Sequence, residues 1–167
     1  PSEEYVPSFT PGGTPSAPVI SSPTHPDENK WYSNNEPQFS WRITPGVTAV
    51  RLLYDKNPTA YPIITYSPPI SEKKLKDLAD GIWYFHARFK NSYGWGQITH
   101  RKVLIDTVPP EPFEVVVDNE DDPTNPTPIF NFKTTDSLSG VEYYEVEFKN
   151  EDGTTTTTTT PRNIKDN

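Results

Sequence analysis

The chain has 167 residues and 20 prolines, and since each interior proline costs a helix about 3 kcal/mol, few windows remain for a helix of ordinary length. A net charge of −8, without clustered Lys and Arg, argues against nucleic-acid binding, which requires cations grouped against phosphates. There is no cysteine, which removes disulfides and thiol chemistry, and no apolar run approaches the ~20 residues of a membrane-spanning helix. The class that remains is all-β. Hydrophobic residues make up only 32% of the chain while aromatics reach 13%, so the core is expected to rest on a few large side chains, as a β-sandwich allows. Pro1 is not a natural translation start, and the chain is expected to be a processed product or a piece of something longer.

Residues 1–15, with Pro7, Pro11, Gly12, Gly13 and Pro15, have the composition of a stiff extended linker, expected to pack weakly. Pro18-Val19-Ile20 predicts a short first strand, and the polar stretch Ser21 to Glu36 a loop or irregular edge. From Gln38 to Ile43 the chain alternates, placing Phe39 and Trp41 on one face of a half-buried strand. Thr44-Pro45-Gly46 closes it as a turn. Val50 to Asp55 alternates again, with Val50, Leu52 and Tyr54 inward and Leu53 as the exception. Four prolines from Asn57 to Pro69 confine any strand at Ile63-Ile64-Thr65 to a sheet edge, where a missing N–H is tolerated. Lys73 to Leu78 is compatible with a helical turn. The clearest strand is Trp83 to Lys90, with Trp83, Phe85, Ala87 and Phe89 on the core face and Tyr84, His86, Arg88 and Lys90 on the other. Arg101 to Asp106 predicts the last strand, for about seven in all, which suits a sandwich.

After the stiff joint Thr107-Val108-Pro109-Pro110 the pattern restarts. Pro37-Gln38-Phe39-Ser40-Trp41 is answered by Pro128-Ile129-Phe130-Asn131-Phe132 at an offset of 91, and Gly46-Val47 by Gly140-Val141 at 94. Val50, Leu52 and Tyr54 are answered at 94 by Tyr144, Val146 and Phe148. A repeat near 90 residues is a domain rather than a solenoid unit. The second copy breaks off after the equivalents of about three strands and runs into the tract Thr154 to Thr160, predicted as an extended strand, with an O-glycosylated tether as the alternative. The expected organisation is a linker over 1–15, a sandwich over 16–107 and a partial second repeat over 108–167. Half a sandwich leaves Phe130, Phe132, Tyr144, Val146 and Phe148 without a facing sheet.

Leu78-Ala79-Asp80-Gly81-Ile82-Trp83, followed by Phe85, Ala87, Arg88 and Asn91-Ser92-Tyr93-Gly94, resembles the penultimate strand of fibronectin type III and bacterial immunoglobulin-like repeats. Phe39-Ser40-Trp41 is similar to the second strand of those domains with its core Trp, and Ile105-Asp106-Thr107-Val108-Pro109-Pro110 to the linker of tandem bacterial surface repeats. The corner aromatic, Trp83, stands one position nearer the glycine than the fibronectin tyrosine, which favours the bacterial group; the Arg-Gly-Asp tripeptide is absent. The resemblance implies a tandem Ig-like/fibronectin III-like β-sandwich with its second copy incomplete. It also implies a stalk or spacer of a secreted or surface-anchored protein, extracellular in location, whose partners are neighbouring repeats or subunits, a glycan or a host or cell-surface protein.

No Gly-x-Ser-x-Gly turn, phosphate loop or His-Glu-x-x-His occurs, and His25, His86 and His100 have no catalytic or metal-binding spacing. His86 is expected to face solvent. An enzyme is therefore not expected. Trp31, Tyr32, Tyr93 and Trp95 are predicted loop aromatics, which either cap the open ends of a sandwich or form a glycan-stacking platform. Asp118-Asn119-Glu120-Asp121-Asp122 is the densest acidic run; Asp118 and Asp122, with Asp106 at the joint, are the candidate ligands for a structural calcium ion, the alternative being a solvated acidic loop. No other cofactor is expected. Three functions follow: a non-catalytic spacer of an adhesin, stalk or fibre; a glycan-binding module of an extracellular enzyme or adhesin; and a filament subunit completed by strand addition from a neighbouring chain.

Overall fold

The computed structural model describes residues 12–119, 121, 122, 124 and 127–161, so residues 1–11 of the predicted linker and Glu120 of the acidic run lie outside the described residues. The chain divides into two compact units, Pro1–Thr107 and Val108–Asn167.

Among the described residues the first unit contains eight strands: β1 (Ile20–Ser21), β2 (Trp31–Tyr32), β3 (Gln38–Trp41), β4 (Ala49–Asp55), β5 (Ile64–Tyr66), β6 (Glu72–Lys74), β7 (Gly81–Asn91) and β8 (Gly94–Ile105). They form a three-stranded sheet in the order β1-β3-β6 and a five-stranded sheet in the order β2-β8-β7-β4-β5. All pairs are antiparallel except β2 on β8. The chain changes sheet between β1 and β2, β2 and β3, β3 and β4, β5 and β6, and β6 and β7. This is the Greek-key connectivity of an immunoglobulin-like, fibronectin III-like sandwich. Alternation fills its core as the sequence predicts, with Phe39 and Trp41 facing Val50, Leu52, Phe85, Ala87 and Phe89. The rings of Phe39 and Phe85 stack at 4.1 Å, and the Trp41 indole N–H satisfies itself by donating to the Ile70 carbonyl at 2.8 Å. Trp83 turns the corner into β7, its indole N–H reaching back four residues to the Ala79 carbonyl at 2.7 Å. That is the corner bond which a tyrosine makes in related sandwiches.

Several expectations are corrected. Of the two readings of Ser21 to Glu36, loop or irregular edge, the second describes Trp31–Tyr32, which adds a parallel edge strand to β8. Lys73 to Leu78 holds no helical turn: Glu72–Lys74 pairs with β3, and Leu75 and Leu78 plug the core. Tyr54 continues the inward set of β4 but is 42% exposed. It borders a cavity of about 350 Å³ whose lining mixes Leu52, Ile64, Leu75 and Phe85 with Lys73, Lys74 and Lys76. Ile64–Tyr66 is an edge strand, as the prolines required. Residues 12–15 do not pack weakly. Asn91 donates to the Gly13 carbonyl at 2.8 Å, and Pro15 lies so close to Gly96 that a Cβ there would run into the Pro15 carbonyl.

The second unit contains β9 (Val116–Asp118), β10 (Ile129–Asn131), β11 (Tyr143–Lys149) and β12 (Thr155–Pro161). β9 pairs with β10, and β11 with β12, each antiparallel, so the threonine tract is a strand. β-branched threonines suit the extended backbone. The two pairs correspond to β1–β3 and β4–β5 of the first unit. Aromatics meet between them, Phe132 against Tyr144 at 5.0 Å and Phe130 against Phe148 at 6.0 Å, around an open groove of about 280 Å³. Phe130 and Phe148 remain more than 40% exposed.

Candidate functional site on the outer sheet face

The outward residues of β4, β7 and β8 gather on the face of the five-stranded sheet that points away from the core. Arg51 on β4 and Arg88 on β7 are direct cross-strand partners, and Lys90 follows two residues after Arg88 on the same face. A β-bulge between Arg88 and Lys90 shifts the register of β8, so that Trp95 sits opposite Lys90. The Trp95 ring thereby lies among three cations: Arg51 Cζ at 4.3 Å from its centroid, Arg88 Cζ at 5.4 Å and Lys90 Nζ at 5.8 Å. Like charges directly opposite on a sheet repel, and the electron-rich ring face offsets that repulsion. Arg51 Nε donates to Thr65 Oγ1 at 2.9 Å, which fixes its guanidinium over the ring. Arg88 Nε is buried and has no hydrogen-bond partner among the described residues.

Beside this cluster runs a polar chain that sequence reading missed. His86, expected to face solvent, is fully buried. Its Nδ1 lies 2.6 Å from His100 Nδ1, and its Nε2 lies 3.2 Å from Asp55 Oδ1. An ionised Asp55 can only accept, so His86 Nε2–H donates to it, and a neutral His86 then accepts the His100 N–H through Nδ1. Partial desolvation of the otherwise exposed His100 ring, together with the nearness of His86, lowers its pKa from the ordinary 6.5. Strand register was the missing signal: His86 and His100 are cross-strand partners, which only the pairing of β7 with β8 reveals. None of these three residues lines the cavity of the first unit.

A second missed residue is Arg101. It lies on the core side of β8, paired with Phe85, and is 9% exposed. Its guanidinium donates to the carbonyls of His25 (2.9 Å), Pro26 (3.0 Å) and Ile20 (3.3 Å) and to Glu28 Oε1 (3.1 Å). It is a staple for the irregular segment between β1 and β2. His25 is buried in that segment, with Nε2 2.8 Å from the Asn34 carbonyl oxygen. Desolvation lowers its pKa from 6.5, against the raising effect of the Asn34 bond, and the charge of Arg101 lowers it further.

The four predicted aromatics do not converge. Trp31 pairs with Leu104 near the end of β8, whereas Trp95 lies at its beginning, nine residues and therefore about 30 Å away along the strand. Tyr32 is packed into its own segment, its ring 4.6 Å from His25 and its hydroxyl accepting the Asp27 N–H at 3.0 Å. Tyr93 is exposed at the tip of the two-residue β7–β8 hairpin, where Gly94 supplies the required positive φ of 126°. Trp95 is a strand residue rather than a loop residue. Of the predicted calcium ligands, Asp106 is buried at the end of the first unit, while Asp118 and Asp122 belong to the second. Asp122 is taken up by its own turn, accepting Thr124 N–H at 2.9 Å and Oγ1–H at 2.7 Å, and these bonds, the hydroxyl's first, lower its pKa. Among the described residues no group of three or more His, Asp and Glu side chains could hold a metal ion.

Neither a protein-family model nor a curated protein sequence matches the chain. Among solved structures, the crystal structure of the FN1-FN3 domains of chicken CNTN1 is similar at 10% sequence identity and a TM-score of 0.35, over 88% of this chain and 54% of that one. The sandwich assignment rests on the strand order and core of the first unit.

Proposed function

We propose that the chain is a non-catalytic structural module of a bacterial secreted or cell-surface protein, one that spaces other domains along an adhesin, stalk or fibre. The observation that carries this reading is repetition of architecture: a closed sandwich is followed, without a break, by strands taking the places of β1, β3, β4 and β5. Tandem sandwiches joined by a proline-stiffened segment hold a distance, which is what a spacer requires. The cation-ringed Trp95 also departs from a sugar-stacking platform, because Arg51 occupies a face of the ring. A glycan array probed with the intact chain tests it, with no selective binding expected. Selective binding that Trp95→Ala abolishes would replace the spacer with the glycan-binding module. Antibody to the chain is expected to label intact source cells, and labelling confined to lysed cells would sink the surface location.

A second reading is favoured by the open groove of the second unit. Among its described residues no strand pairs with the edge of β11 that corresponds to the β7-facing edge of β4. An added strand there would cover Phe130, Val146 and Phe148. Synthetic peptides with the sequence of β7 are expected to bind the chain and quench an apolar dye held in the groove; dye binding unaffected by the peptide counts against completion by strand addition.

A further inference from the structure

The two units carry opposite charge. Residues 1–107 hold 11 Lys and Arg against 10 Asp and Glu, whereas residues 108–167 hold 4 against 13. The net −8 of the chain is thus almost wholly a property of the second unit, and the nearly neutral first unit concentrates three cations on one sheet face around Trp95. The repeat makes the contrast local. With Val50 and Leu52 equivalent to Tyr144 and Val146, the outward residues between and after them are Arg51 and Leu53 in the first unit and Glu145 and Glu147 in the second. Both glutamates are exposed on β11 and border the open groove, while at the alternate positions of the strand Tyr144 and Phe148 turn their rings onto Phe132 and Phe130.

We propose that the Arg51–Arg88–Lys90 face of one molecule docks on the outer face of β11 in a second copy of this chain, Glu145 and Glu147 entering the cation cluster. The spacing matches. Glu145 and Glu147 stand two residues apart on a strand, as do Arg88 and Lys90, so both pairs repeat at about 6.7 Å. A carboxylate bound by Arg51 and Arg88 relieves the repulsion between two arginines placed directly opposite each other. Since the donor face lies on one unit and the acceptor face on the other, the contact is heterologous, and each molecule can bind a neighbour on both sides. This assembly goes beyond the spacer reading and does not depend on the groove of the second unit.

Sedimentation velocity of the intact chain at about 20 mM and about 500 mM salt tests the proposal, because surface charge pairs weaken as the Debye length shrinks. Concentration-dependent species larger than a dimer are expected at low salt and a monomer at high salt. Arg51→Glu with Arg88→Glu is expected to weaken association at least about tenfold, and so is Glu145→Arg with Glu147→Arg. An equimolar mixture of the two double variants restores it, since the swapped faces are again complementary; a variant that failed to fold could not be rescued in this way. Wild-type chain that stays monomeric at low salt overturns the proposal, as does association unmoved by both charge swaps. Binding of heparin, lost in the arginine variant while the chain remains monomeric, also overturns it and assigns the face to an acidic polysaccharide.

Discussion

At the scale of single residues, Gly96 and the histidines carry the least expected consequences. Gly96 is a glycine because Pro15 passes directly over it, so Gly96→Ala must displace residues 12–15 from the β7–β8 hairpin. Overpacking of this kind costs about 1–3 kcal/mol. Hydrogen exchange should show the Asn91 side-chain bond to Gly13 opening and residues 12–17 losing protection, while the β3 amides stay protected. The histidines set a pH dependence whose sign is fixed by their shifts. His25 and His100 both have folded pKa values below 6.5, chiefly through desolvation, so below that pH the unfolded chain takes up protons that the folded chain refuses. Stability contributed by the neutral rings is present above pH 6.5 and declines as pH falls through 6.5 towards the folded values. The melting temperature is expected to be lower at pH 5.5 than at pH 7.5, with the difference reduced in His25→Gln. A melting temperature that rises on acidification would contradict the burial of His25.

At the scale of elements, alternation made β3, β4 and β7 legible, since apolar residues two apart must share a face and that face must be covered. Phe39 is the sharpest case: it is fully buried against Phe85, and Phe39→Ala is expected to cost about 3–5 kcal/mol, measured by urea unfolding of the first unit. What sequence could not show was the segment between β1 and β3. Its polar residues give no period, because it is organised by one distant side chain. Arg101 reaches back more than 70 residues to bond the carbonyls of His25 and Pro26 and the carboxylate of Glu28. Replacing Arg101 with Met removes these donors at once. Hydrogen exchange is expected to speed up across residues 22–32, and the loss of charge-assisted bonds at a buried site should amount to several kcal/mol. The same limit applies to β8. Gly94 to His100 carries a weak alternation, so only Arg101 onward looked like strand, and its pairing with β7 is what extends it back to the hairpin.

For the whole molecule, two compact units of unequal completeness predict two transitions. The first unit closes its core between two sheets, while the second leaves Phe130, Tyr143 and Phe148 more than 40% exposed, so the second should unfold at lower denaturant and bind an apolar dye beforehand. A single cooperative transition with no dye binding would mean that the second unit is better covered than its four strands allow. The sequence by itself determined the all-β class, the inward residues of the central strands and the edge position of β5, because proline spacing and period-two alternation act locally. Tertiary structure alone decided that His86 is buried, that Arg101 is a staple, that Trp31 and Trp95 are separated by most of a strand, and that Arg51, Arg88 and Lys90 surround one ring. Each of these depends on which strands are neighbours and in what register, and register is set by packing between segments that lie tens of residues apart in the chain.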